Sequence, residues 1–260
     1  MVILPLPKIY FVITNNQIKF VKSLHQSKFR QKYNNFVAEG DKIAQEILQF
    51  STYKIVHIFA TNNWIENNDQ LLKSYASVII EIHPVNMSKI STLKTNSPVL
   101  IVLEKKSEIV DYAKFNNGHA IYLDDVQDPG NLGTIIRIAD WFGINSIIRS
   151  RGCADFYNPK VIQSTMGSFL NVSLSTSEFN QLKLSKHKTV GAVMHGESLS
   201  EFNWPEQTML IMGNEGKGIS AAIHQEIDHH ITIPGSDNRV ADSLNVGMAT
   251  GILCGSLFNN

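Results

Sequence analysis

Residues 123–137 read Leu123-Asp124-Asp125-Val126-Gln127-Asp128-Pro129-Gly130-Asn131-Leu132-Gly133-Thr134-Ile135-Ile136-Arg137, and this stretch decides how the C-terminal half folds. An apolar run ends at Leu123, Asp128-Pro129-Gly130 supplies turn chemistry, and a helical pattern follows. Asn131 is well suited to cap that helix. Arg137 lies six residues on, about 240° around the wheel, in an otherwise apolar run of Leu132, Ile135, Ile136, Ile138 and Ala139. A charge there is costly to bury without a partner. It is either an arginine snorkelling at an ordinary helix start or a functional group.

Around this stretch the chain alternates regularly. Strands are predicted over 120–123, 145–149, 189–194, 207–212 and 229–233, with helices near 131–142, 158–166, 219–227 and 243–257. Such alternation predicts an α/β fold with a mostly parallel sheet covered by helices on both faces. In such sheets ligands sit beyond the C-terminal strand ends.

Two further segments leave strands and enter helices. Leu210-Ile211-Met212-Gly213-Asn214-Glu215-Gly216-Lys217-Gly218-Ile219-Ser220 places three glycines in a short loop, where the backbone can approach a ligand closely. It is not a phosphate-cradling P-loop, because Gly218 follows Lys217 where a Ser or Thr would bind the metal. It is not a dinucleotide fingerprint either, since the spacing is G-x-x-G-x-G. Glu215 among these glycines is either a solvated loop carboxylate or a site residue. In the third segment a strand ends at Ile231-Thr232-Ile233-Pro234-Gly235, and a polar loop leads to Ser243-Leu244-Asn245-Val246-Gly247-Met248-Ala249-Thr250-Gly251-Ile252. Ser243 is suited to cap the last helix, which leaves Asn245 unexplained. Gly247, Ala249 and Gly251 suggest close packing, within the chain or against a second copy.

The N-terminal half reads as helices over 17–26 and 41–50 with strands over 36–38, 54–60, 78–82 and 99–103, a small α/β sandwich. Residues 104–118 are charged and then Asn/Gly-rich, so the predicted organisation is an N-terminal domain over 1–104, a linker over 105–118 and a C-terminal domain over 119–260.

The 260 residues are 43% apolar, and Lys+Arg and Asp+Glu balance at 23 each. A polyanionic partner would therefore have to be held by local patches. Cys153 and Cys254 are far apart and read as buried thiols, not as a disulfide or a zinc site. The apolar opening, residues 1–14, is interrupted by prolines and too short to span a bilayer, which points to the cytoplasm.

The three segments, in this order and spacing, resemble the SpoU branch of the SPOUT RNA methyltransferases over roughly residues 118–258. Asn131 and Arg137 match the family's first motif, Gly213, Glu215 and Gly218 its second, and Ile233-Pro234 with Ser243-Leu244-Asn245-Val246 its third. Phe36-Val37-Ala38-Glu39-Gly40 is similar to the ribosomal-protein-like domain that often precedes it. Two smaller likenesses are Ser164-x-x-Gly167 and His195-Gly196. The polar loop 235–242 is about two residues longer than usual, with Gly235 where Met is common.

The resemblance implies a deep trefoil knot in the C-terminal domain, a homodimer, no metal, and transfer of a methyl group from S-adenosylmethionine to a ribose 2′-hydroxyl of RNA. Ribosomal RNA is the favoured target over transfer RNA. The alternative is a non-catalytic RNA-binding or assembly protein that keeps the knot. It also implies that Gly196, Gly213, Ile233 and Leu244 contact the cofactor, that Arg137 contacts the ribose, and that Asn131, Glu215, Ser243 and Asn245 hold the arrangement. RNA would be gripped by Lys19, Lys22, Lys28, Arg30 and Lys32, with Arg149 and Arg151 beside the catalytic sheet. The bland alternative for these residues is a solvated helix face.

Overall fold

Short β-branched runs bounded by turns form the strands, and apolar stripes at helical spacing form the helices that cover them. The computed structural model describes residues 11–95, 97–182 and 185–259; most of the apolar opening, residues 1–10, lies outside them. The chain divides into two compact units, residues 1–106 and 107–260.

The first unit is built on a mixed five-stranded sheet of β1 (Phe11–Val12), β2 (Asn35–Glu39), β3 (Ile55–Ala60), β4 (Ile79–Glu81) and β5 (Val99–Glu104), in the order β1-β4-β3-β5-β2. The parallel pairs β1/β4 and β3/β4 adjoin the antiparallel β5, which sits between β3 and β2. Val21, Leu24, Phe59, Met87, Ile90, Leu100 and Val102 form its core. A helix missed in the sequence, Ser27–Tyr33, follows the first helix, Asn15–Ser23. It buries Arg30, 2% exposed, whose guanidinium donates to the Leu24 carbonyl at 2.9 Å. Arg30 therefore faces the interior and leaves the set of residues expected to meet RNA.

The second unit holds six strands: β6 (Ala120–Leu123), β7 (Ser146–Arg149), β8 (Ser173–Thr176), β9 (Lys188–Ser198), β10 (Thr208–Met212) and β11 (His229–Thr232). Their order is β11-β9-β10-β6-β7-β8, and every neighbouring pair is parallel. Residues expected to form a linker pack in this unit: Asp111 caps the helix Tyr112–Phe115, and Phe115 is buried in the core with Tyr122, Ile148 and Ile211. Helix Pro129–Trp141 packs on helix Pro159–Thr165 so closely that a Cβ on Gly133 would stand 2.7 Å from the Val161 carbonyl oxygen. The last helix, Val246–Asn259, turns Gly247 toward Thr134, so that glycine serves packing within the chain. Among the described residues no helix is long and apolar enough to cross a membrane.

Candidate active site at the strand ends

Three chain segments leave the C-terminal ends of β6, β10 and β11, the place where parallel sheets bind ligands. The first two are stitched together. The N–H of Asp124 donates to the Met212 carbonyl at 2.8 Å, and the Asp124 carboxylate accepts the N–H of Ser220 at 2.7 Å. The Asn214 side chain donates to the Asp125 carbonyl at 2.8 Å, while its oxygen accepts the N–H groups of Gly216 and Lys217. Gly213 lies against the return of its own loop; a Cβ there would be 2.3 Å from Gly218 and Ile219 backbone atoms. No other residue fits without displacing the main chain.

Helix 129–141 starts earlier than the sequence suggested. Asp128, not Asn131, is its cap: the Asp128 carboxylate accepts the Asn131 N–H at 2.9 Å, with Pro129 at the first helical position. Proline suits that position because its missing N–H would be unpartnered there anyway. The Asn131 N–H holds the Asp128 carboxyl below its ordinary value. Asn131 is thereby placed in the first turn with its side chain free to reach out. The last helix starts later than expected, at Val246, with Asn245 as its cap and not Ser243; the Asn245 oxygen accepts the N–H groups of Gly247 and Met248 at 2.9 and 3.3 Å.

The side chains of Asn131 and Asn245 bring the three segments together. Asn131 donates to Glu215 at 3.0 Å, and Asn245 donates to Asn131 at 2.8 Å. Glu215 also accepts the N–H groups of Gln127 and Asp128 at 3.3 and 3.2 Å. Burial pushes the Glu215 carboxyl up, but the hydrogen bonds from Asn131, its own N–H, Asp128 and Gln127 outweigh it and hold the group below its ordinary value. Of the expected site residues, Asn131, Glu215 and Asn245 are thus hydrogen-bonded to one another. Ser243 and Leu244 stand exposed just before Asn245, Ile233 is half-buried after β11, and Gly196 is exposed on β9 against the His230 carbonyl. Asp125, Gln127, Asp128 and Asn214 were not expected; Pro129 was the signal that could have marked Asp128 as the cap.

Arg137 is exposed on helix 129–141, with no ion-pair partner among the described residues. Close to it in sequence or on the adjoining helix stand large exposed apolar side chains, Trp141 at 83% and Met248 at 64%. Arg149 is the opposite case. Its guanidinium donates to the Cys153 and Ala154 carbonyls at 3.1 and 2.8 Å and to Glu108 at 2.9 Å, and lies over the Phe156 ring. It is a clamp, and the expectation that it grips RNA is corrected; Arg151 is exposed, 3.4 Å from Glu178. Lys22, Lys28 and Lys32 are exposed on the first unit. Two clefts of the second unit lie at the other end of the sheet, one of about 440 Å³ beside His119 and Trp204 and one of about 270 Å³ beside Asn145 and Ser173.

Residues 118–255 match the SpoU rRNA Methylase family, and residues 15–100 match the MRM3-like substrate binding domain. The chain belongs to the SpoU rRNA methylase family. Among SpoU relatives, it is 30% identical to the 23S rRNA (guanosine(2553)-2′-O)-methyltransferase RlmP of Bacillus subtilis, over 92% of this chain and 94% of that protein. A TrmH-family protein from Porphyromonas gingivalis has a structure with TM-score 0.85 at 33% identity, covering 95% of this chain and 99% of that one. An AdoMet-bound rRNA methyltransferase from Sinorhizobium meliloti gives TM-score 0.83 at 25% identity, covering 95% of both chains. The SpoU fold, preceded by a substrate-binding domain, is thus shared along nearly the whole chain.

Proposed function

We propose that the protein methylates a ribose 2′-hydroxyl of RNA with S-adenosylmethionine, and that the RNA is ribosomal. The observation that carries this reading is the chain Asn245–Asn131–Glu215, which draws three crossings to one end of the parallel sheet with Arg137 exposed on the same helix as Asn131. The named relatives that act on 23S or other rRNA support the target class.

The strand-end loops fit the cofactor. Gly213 keeps its loop free of a side chain, and Ile233 and Leu244 offer partly exposed apolar surface beside main-chain groups able to hold a polar molecule. When bound, S-adenosylmethionine supplies an already electrophilic methyl group. The chain's own task is then alignment. Gly196, Gly213, Ile233 and Leu244 hold the cofactor, and Glu215, Asn131 and Asn245, with Ser243, fix the loops. Arg137 meets the ribose and the adjacent phosphate and stabilises the alkoxide that develops at O2′. An arginine guanidinium is not deprotonated in proteins and so does not serve as the base; the 2′-hydroxyl proton leaves to solvent as the new O–CH3 bond forms and the sulfonium becomes a neutral thioether.

The same reading assigns an RNA-binding domain to residues 1–104 and a catalytic domain, with a deep trefoil knot, to residues 119–260. It also assigns a homodimer in the cytoplasm. Exposed Trp141 on the helix that carries Arg137, with exposed Met248 and Ile252 on the last helix packed against it, supports a second copy covering these helices and bringing Arg137 to its partner's cofactor. Lys22, Lys28, Lys32 and Arg151 hold the RNA.

The test incubates the purified protein with methyl-labelled S-adenosylmethionine and, separately, ribosomal and transfer RNA. A 2′-O-methyl group blocks alkaline cleavage of the next phosphodiester bond, so label in alkali-resistant dinucleotides from ribosomal RNA is the expected result. Label on bases, or none, overturns the reading.

A further inference from the structure

The first unit carries an unusual segregation of charge. Across a chain with no net charge, the first acidic residue is Glu39, and Lys8, Lys19, Lys22, Lys28, Arg30 and Lys32 all precede it. On the structure, four of these, Lys19, Lys22, Lys28 and Lys32, are exposed on helices Asn15–Ser23 and Ser27–Tyr33.

Aromatic rings are interleaved with them. From buried Phe59 a file of rings leads outward: His57 at 5.7 Å, Phe20 at 6.4 Å edge-on to His57, and Tyr33 at 5.2 Å edge-on to Phe20. The file ends on the Ser27–Tyr33 helix, where Phe29 and Tyr33, one turn apart, hold their rings within 13° of parallel at 6.2 Å. Tyr33 is 41% exposed. The lysine preceding each ring sets its ammonium over that ring, Lys28 at 4.9 Å from the Phe29 centroid and Lys32 at 5.3 Å from that of Tyr33. A core-packing role would bury these rings. A solvated basic helix has no use for an ordered pair of aromatic faces.

We infer that Phe29 and Tyr33 form a stacking platform for unpaired bases of the RNA substrate, flanked by Lys28, Lys32, Lys19 and Lys22 for its phosphates. This rests on the RNA-methyltransferase reading and adds the form of RNA the first unit recognises: a single-stranded segment. Every base has a π-face, so the platform is tolerant of sequence, while the ammonium groups beside it meet the backbone that links successive bases. The flexible lysines lift from the ring faces as a base arrives and move to its phosphates.

The test measures affinity of the full-length protein for a short fluorescein-labelled RNA single strand and for the same sequence as a duplex, by anisotropy at several salt concentrations. Wild type should prefer the single strand. Tyr33→Leu keeps apolar bulk against Phe20 but no π-face, and is expected to bind the single strand roughly tenfold more weakly, with the duplex little changed. Tyr33→Trp should restore or tighten binding. Lys28→Gln with Lys32→Gln should lower the single-strand salt slope by about 1.4. Calorimetric binding of S-adenosylmethionine by each variant checks that the fold is kept. Equal single-strand affinity of wild type and Tyr33→Leu overturns the platform while leaving the methyltransferase reading in place; failure of wild type to bind any RNA overturns that reading itself.

Discussion

The Asn245 side chain donates to the side-chain oxygen of Asn131 at 2.8 Å, and that bond has a fixed direction. Glu215 as a carboxylate only accepts, so Asn131 must turn its nitrogen toward Glu215 and its oxygen toward Asn245. Asn245 must then offer its nitrogen to Asn131 and its oxygen to the N–H groups that open the last helix. One acceptor-only group thus orients two amides and a helix start.

Asn245→Asp separates these roles. The carboxylate still caps the helix but cannot donate to Asn131, and losing this solvent-exposed bond costs about 0.5–1.5 kcal/mol. Methyl transfer should fall by about tenfold or more, with a melting temperature within about 4 °C of wild type. Steady-state kinetics beside a thermal melt checks this; unchanged turnover would remove the network from the mechanism.

Arg137 is exposed, so Arg137→Ala should alter stability by no more than about 0.5 kcal/mol. Turnover should nevertheless drop about 100- to 1,000-fold, the scale of losing one group that stabilises developing charge. Arg137→Lys keeps the charge without the planar fork and should fall between. Near-normal single-turnover rates for the alanine variant would end the proposed role.

Acid should unlatch the site. Glu215 and Asp128 both lie below their ordinary values of 4.5 and 3.8. Groups whose pKa is lower folded than unfolded stabilise the fold fully above the unfolded values, and lose that contribution as the pH falls through the folded ones. Urea midpoints measured from about pH 5 down to about pH 3 should fall steeply for wild type and less steeply for Glu215→Gln. Parallel curves would show that Glu215 is not held as described.

Arg149 and Arg151 should separate structure from recognition. Arg149→Ala leaves the Cys153 and Ala154 carbonyls and Glu108 without their shared donor, and should cost about 3 kcal/mol in a denaturant melt. Arg151→Ala should leave stability unchanged and weaken RNA binding in a salt-dependent way. A stable Arg149→Ala protein would contradict the clamp.

The parallel sheet was legible because β6 and β10 are almost wholly apolar runs and β7 and β11 carry the β-branched pairs Ile147-Ile148 and Ile231-Thr232, with turn residues beyond their ends. β8 was not, since Ser173–Thr176 is short, largely polar and lies at the sheet edge, where pairing and not composition makes the strand. Asn131, Glu215 and Asn245 were found through their motifs, but their caps were misplaced by a few residues. Several residue types can cap, and only the hydrogen bonds chosen in three dimensions decide among Asp128 and Asn131, or Ser243 and Asn245. The fates of Arg30 and Arg149 were likewise invisible, because a guanidinium is buried or exposed according to carbonyls that distant turns supply.

The latch also sets an order in time. Its three members are separated by as many as 114 residues, and the ribosome releases Asn131 first, Glu215 next and Asn245 last. A nascent chain that has paired the first two still lacks its third strut, so translation must pass Asn245 before any molecule can work, and a polypeptide stalled earlier stays inert.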